Sequence, residues 1–278
     1  RESGKFTNQQ NHNDNNGIQF FNSQDSFLNK AVEAFKSEAF KKNPLLARIV
    51  AATNARVLNW NRAVRLALYG KDAPAFVEGE LLMGYGRFTK LKGKSDNLTG
   101  EKNTGLSTIA NGVDYIVTKV GKETTDYWAG VGIKVIPITI RDVFDINPEE
   151  TVMVVSPNNS PETMRALSDS FMRLDRQAFL QRSRGEFDEE AGKFVLMNDL
   201  TGEVVTPNKS WNKTLINKTI AYGYAHTIHK SQGGTYNFVF VDDPSIGKFP
   251  SENDRKRLRY VGVTRAERGA FILTDGAI

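Results

Sequence analysis

Short apolar runs bounded by polar residues constrain this chain most: ARIVAAT at 47–53, NFVFVDD at 237–243 and AFILT at 270–274. Each is apolar on consecutive residues rather than alternate ones. Runs of that length suit strands covered on both faces, as in a parallel sheet packed between helices. The neighbouring segments fit this arrangement. Phe27, Leu28, Ala31, Val32, Phe35 and Phe40 recur at helical spacing from Ser26, and Pro44 closes that segment. VLNWNRAVRLALYG (57–70) reads as a helix with Gly70 where a left-handed cap is common, and a basic helix is expected around 252–266. IQFF at 18–21 and a strand near YGYAHTI (222–228) complete an α/β layer with a parallel sheet.

The pattern changes between these stretches. ELLM, DYIVTKV, VGIKVIPITI and TVMVV, all within 76–155, are strand-like runs separated by Gly-, Lys- and Asn-rich connections such as KLKGKSDNLTGEKNTG. They predict antiparallel strands, a small barrel. Ser160-Pro161-Glu162 is a helix start, with a charged helix to about Arg184, and KFVLMNDLTGEVVTP (193–207) reads as a hairpin. The predicted organisation is a flexible leader over 1–17, a first α/β segment over 18–74, a β-rich insertion with a helical arm over 75–206, and a second α/β segment over 207–278. No internal repeat is visible.

Composition narrows the function classes. The 278 residues suffice for a sizeable core, and no apolar run approaches the ~20 residues that a membrane-spanning helix needs. With no cysteine, disulfide scaffolds, thiol catalysis and cysteine-based zinc sites are excluded. A net charge of +5 permits a polyanionic partner without requiring one.

Chemistry concentrates in AHTIHKSQGGTY (225–236) and in RLRYVGVTRAERGAFIL (257–273). Thr227 to Gly234 within the first sits between a strand and an expected helix and offers hydroxyls, an imidazole, an ammonium and two glycines, which suits phosphate or nucleotide contact. Between Lys248 and Arg268 there are seven Lys or Arg against three acids, a run that also fits a solvated basic face.

Together the two stretches resemble motifs V and VI of superfamily 1 helicases, in the form of the RecD/Dda-like branch of phage and bacterial DNA helicases. ATNARVLNWNRAVR (52–65) is similar to that branch's motif IV, with Thr53, Asn54, Val57, Asn61 and Arg65 at matching spacing. The resemblance implies a RecA-like domain interrupted by an SH3-like barrel. It puts the arginine finger on Arg265, with a helix-end arginine paired to Glu267 as the structural alternative. Gln232, Gly233 and Arg65 would lie at the nucleotide, although Arg65 also suits sheet packing. Thr53, Asn54, Thr227, His229 and Ser231 would hold single-stranded DNA through phosphate contacts, while His226 and Trp60 read as core. The UvrD-like branch carries a Glu after the glycine pair that bonds the ribose; this chain has Thr235 there. In the insertion, Lys90, Lys92, Lys94 and Lys102 could meet phosphates or only solvent, and Tyr85, Phe88, Tyr127 and Trp128 could stack on bases or fill the barrel.

Two look-alikes fail. Gly93-Lys94-Ser95 ends like a phosphate-binding loop, but Phe88 stands where that pattern requires glycine. Asp242 and Asp243, at the end of a strand, look like Mg²⁺-binding acids, yet in the family this is merely the strand after motif V. The helicase family's phosphate loop and Mg²⁺ acids lie on a first RecA-like domain. The resemblance therefore implies the second half of a longer motor, a reading with which Arg1 as first residue agrees. ATP and Mg²⁺ would be bound mainly by the first domain, in a bacterial or phage-infected host cytoplasm, with roles in replication, repair or recombination. The alternative is a stand-alone nucleic-acid-binding module without ATPase activity; a protein-binding scaffold is a further one.

Overall fold

The computed structural model describes residues 16–84, 88–90, 107–109, 112–128, 130–144, 149–167, 169–170, 183–188, 193–198 and 220–274. In chain order the first elements are β1 (Gly17–Phe21), α1 (Gln24–Lys36), α2 (Glu38–Lys42), β2 (Ala47–Ala51) and α3 (Asn54–Tyr69). The strands β3 (Leu81–Gly84), β4 (Phe88–Lys90), β5 (Ser107–Ile109), β6 (Asp114–Val120), β7 (Thr124–Trp128), β8 (Val131–Asp142) and β9 (Glu150–Val155) follow. Then come a helix α4 over 161–167, β10 (Ser183–Asp188), β11 (Lys193–Asn198), β12 (Ile220–Tyr222) and β13 (Ala225–Thr227). A 3-10 turn (Ile228–Ser231), β14 (Tyr236–Asp242), α5 (Asp243–Gly247), α6 (Glu252–Val263) and β15 (Ala266–Leu273) complete the chain. It divides into two compact units, 1–119 with 139–150 and 220–278, and 120–138 with 151–219.

The first unit is built on a five-stranded sheet of order β1-β15-β14-β2-β13. Every pairing in it is parallel, so the expected α/β, RecA-like parallel sheet is present. Its central strands are buried on both faces, and alternate residues serve two cores. Ala47, Ile49 and Ala51 of β2, with Phe240 and Phe271, pack against Phe27, Phe35, Trp60 and Val64 of α1 and α3. Val50, Val239, Val241 and Ile272 face the other way, toward Ile246 and Leu258 of α5 and α6. Edge strand β13 is held to α3 by Asn61, whose amide donates to the Ala225 carbonyl (3.0 Å) and accepts from its N–H (2.8 Å). The same unit carries the antiparallel strands β12, β3 and β6, with Ile220–Tyr222 opposite Leu82–Gly84 and Leu81–Met83 opposite Asp114–Ile116.

In the second unit β7 runs antiparallel to β8, from Thr124 opposite Val135 to Trp128 opposite Val131. Ile133 and Val135 pack with Leu167 of α4, and Met153 and Val155 of β9 join them. β10 and β11 form an antiparallel hairpin.

Local details depart from the sequence pattern at three places. The helix expected from Ser26 to Pro44 is two helices, broken at Ser37. There the backbone is extended (φ −67°, ψ 148°), and the side chain accepts from Phe40 N–H while donating to the Ala34 carbonyl. Serine's short hydroxyl competes for backbone groups and starts a new helix. KFVLMN pairs with SRGEFD, upstream of it, while the expected second arm across Thr201-Gly202 lies outside the described residues. Ser183 and Arg184, expected to end a helix, instead begin β10. Gly70 does end α3 at positive φ (+83°).

Candidate functional site

Because the five strands are parallel, their C-terminal ends share one edge. Ala51 is level with Thr227, and Leu273 with both Asp242 and Phe21. Thr53, Asn54 and Thr227 therefore lie at that edge, as ligand sites of open α/β sheets do. Thr53 is the N-cap of α3, its Oγ1 accepting from Arg56 N–H (3.3 Å). Thr227 caps the 3-10 turn in the same way, accepting from Lys230 N–H (3.4 Å). A capping hydroxyl accepts with a lone pair and keeps its own O–H to donate, so both remain able to bond a phosphate oxygen. Thr53, Asn54 and His229 are exposed and Thr227 half-buried. Ser231 is not brought to this surface: it is fully buried, its hydroxyl donating to the Ile228 carbonyl (2.6 Å).

The edge is braced from below. Asp242, fully buried, accepts from Arg56 Nε (2.6 Å) and Nη2 (3.0 Å) and from Trp60 Nε1 (2.8 Å). Ser245 Oγ donates to the Asp242 carbonyl (2.7 Å) and accepts from Ala52 N–H (2.8 Å). Asp243 takes both Nε (2.7 Å) and Nη2 (3.0 Å) of Arg259, which raises the guanidinium pKa. These two acids are thus committed to arginines. No group of three His, Cys, Asp or Glu suited to a metal occurs among the described residues.

The 3-10 turn carries the chain back across the sheet to the opposite edge, where Tyr236 is level with Ala266. Gln232 and Gly233 are exposed here, and Gly233 has a positive φ (+88°) that side chains rarely adopt. Arg265 arrives from the end of α6. Its guanidinium donates to the carbonyls of Val261 (3.3 Å) and Gly234 (3.4 Å) and to Thr264 Oγ1 (3.3 Å). Segments distant in sequence, 234–236 and 261–266, so meet at one edge. Arg65 is elsewhere: Nε bonds Glu80 Oε1 (2.7 Å), Nη2 donates to the Pro74 carbonyl, and the guanidinium lies 4.7 Å from the Tyr222 ring centroid. Glu80 is fully buried, and burial raises its pKa despite the arginine.

Under the turn lies a polar cluster that the sequence reading passed over. Arg48 is fully buried on β2, donating to Asp114 Oδ2 (2.6 Å) and to the Gly223 carbonyl, and it lies 5.0 Å from the Tyr236 ring centroid. Tyr236 Oη is 2.9 Å from His226 Nε2. Burial, then the Arg48 charge, pushes His226 down to about 3, so the ring is neutral. The available signal was Arg48 itself, a charge inside a run otherwise fit for a buried strand. Lys92, Lys94, Lys102, Tyr85 and Gly93-Lys94-Ser95 fall outside the described residues, and Tyr127 is 76% exposed.

Residues 222–273 match the family model of the UvrD-like helicase C-terminal domain. That segment resembles the C-terminal domain of UvrD-like helicases. Thr227, His229, Ser231, Gln232, Gly233 and Arg265 all fall inside the UvrD-like segment, whereas Thr53, Asn54 and Arg65 lie upstream of it. No curated protein sequence matches the chain. Among solved structures, Pif1 from Bacteroides bound to ssDNA is 15% identical over 91% of this chain and 48% of that one, with a TM-score of 0.36. Pif1 from Candida albicans is 14% identical over 90% and 52%, with a TM-score of 0.34. Bacteroides Pif1 in complex with ADP-AlF3 and ssDNA is 14% identical over 93% and 52%, with a TM-score of 0.35. The chain spans about half the length of these structures.

Proposed function

We propose that this chain is the second RecA-like half of an ATP-dependent DNA helicase that translocates on single-stranded DNA. The observation that carries the reading is the placement of Arg265 beside Gly234, at the sheet edge opposite Thr53 and Thr227. A nucleotide contact and a strand contact then sit at the two ends of one turn. ATP, the substrate, would lie between the Arg265 edge and a first RecA-like domain that supplies the phosphate loop and the Mg²⁺ acids. Arg265 would offset charge developing on the γ-phosphate, with Gln232 and Gly233 beside the nucleotide. Thr53, Asn54, Thr227 and His229 would bond phosphate oxygens of the strand. Closure on ATP and reopening after hydrolysis would move the strand by steps, in the 5′-to-3′ direction of the RecD/Dda-like branch.

Arg265→Ala, made in the complete motor, tests this. ATP hydrolysis is expected to fall about 10³-fold or more, the scale of an arginine finger, while oligonucleotide affinity changes little. Equal loss of both would show Arg265 to be structural. Salt-sensitive binding of oligo-dT by a protein that hydrolyses no ATP in any assembly would favour the stand-alone binding module instead.

A further inference from the structure

The ends of the 227–235 turn are joined by one hydrogen bond. His226 Nδ1 lies 3.1 Å from the Thr227 carbonyl, which only accepts, so Nδ1 carries the proton. Nε2 is then the acceptor, and the Tyr236 hydroxyl donates to it over 2.9 Å. Both side chains are buried. His226 immediately precedes Thr227, at the proposed strand end of the turn. Tyr236 touches the proposed nucleotide end twice. Its N–H donates to the Arg265 carbonyl (2.9 Å), and its hydroxyl lies 2.9 Å from where a Cβ on Gly234 would sit. Arg48, fixed by Asp114, holds the ring from behind. A displacement of the Thr227 carbonyl therefore reaches Gly234 and Arg265 through two side chains, without passing along the turn.

We propose that His226 and Tyr236 are positioning residues, a staple across the turn through which occupancy of the strand end is felt at Gly233–Gly234 and Arg265. This rests on the functional reading above, and the test separates the two. Amide hydrogen exchange is followed in the chain with and without oligo-dT. In the unaltered protein oligo-dT is expected to slow exchange at Ile228–Lys230 and also at Gly233–Gly234. Tyr236→Phe removes only the hydroxyl. In that variant the turn amides of the free chain should exchange about tenfold faster, the scale of one lost hydrogen bond. Oligo-dT should still slow Ile228–Lys230 but no longer Gly233–Gly234. His226→Phe should reproduce this, and His226→Gln, which keeps an acceptor toward the tyrosine, should restore the distant effect. Transmission undiminished in both Phe variants overturns the staple. Should one Phe variant fail to fold, the other and the Gln rescue decide. Absence of any slowing in the unaltered protein overturns the strand-binding reading and the transmission with it, while the free-chain rates still report whether the pair holds the turn.

Discussion

His226 is neutral because a charged imidazole would have to be desolvated beside Arg48, and that has a consequence for stability. Its folded pKa is pushed down to about 3 from an ordinary 6.5. The unfolded chain thus takes up a proton that the folded chain refuses. The stabilisation is complete above pH 6.5 and is lost as pH falls toward 3. At ~1.36 kcal/mol per unit, roughly 2 kcal/mol should be gone by pH 5. Urea midpoints at pH 7.5 and 5 measure this, and His226→Gln should flatten the difference. An unchanged slope in that variant would assign the loss to another group. The Arg48–Asp114 pair makes a second residue-scale prediction. Burial raises the Asp114 pKa against the pull of Arg48, and Arg48 Nε and Asp114 Oδ1 find no hydrogen-bond partner among the described residues. Such a pair contributes little net stability, but a lone member is costly. Asp114→Leu should therefore cost about 3–5 kcal/mol in chemical denaturation, and adding Arg48→Met should recover most of it.

Among the elements, two glycines that look alike in sequence should respond oppositely to alanine. Gly262 lies within α6, where a Cβ would make ordinary contacts of 3.6–3.7 Å with Val241 and Val50. Gly262→Ala should raise stability by up to about 1 kcal/mol, the helix-propensity difference. Gly223 precedes β13, and a Cβ there would meet Leu81 Cγ at 2.8 Å and the Leu82 backbone at 3.1 Å. Gly223→Ala should cost about 1–3 kcal/mol, as overpacking does, and thermal melting of the two variants compares them directly. This contrast also shows what the sequence made legible. β2, α3, β14 and β15 were readable because each announces itself within its own residues, through a consecutive apolar run or a helical period. The break at Ser37 and the partner of β11 were not. The first depends on which backbone group a hydroxyl captures, the second on which segment reaches the strand, and neither is written in local periodicity. Trp60 reads as core from its neighbours' helical spacing, but that its indole N–H serves the buried Asp242 depends on the β14 register.

For the molecule as a whole, motif residues were legible as types but not as places. That Thr227 and Gly233, six residues apart, belong to opposite sheet edges follows only once the strands are known to be parallel and the 3-10 turn to run back across them. Ser231 shows the limit, since its motif position suggests a ligand contact and its packing turns it inward. The arrangement also bears on how the chain should meet nucleic acid. Thr53, Asn54 and Thr227 carry no charge, so the phosphate contacts proposed for them would displace few counterions. Were the full surplus of +5 engaged, the affinity for a single strand would fall with a log–log salt slope near −3.5, at about 0.7 per phosphate neutralised. A defined neutral track predicts a shallower slope, on the order of −1 to −2. Titration of labelled oligo-dT across a salt series measures it. Asn54→Ala should then weaken binding several-fold at every salt concentration without changing the slope, because a neutral hydrogen bond is lost rather than an ion contact. A slope of −3.5 or steeper, with an affinity unaffected by Asn54→Ala, would mean that the basic surface binds diffusely and that this edge is not the track.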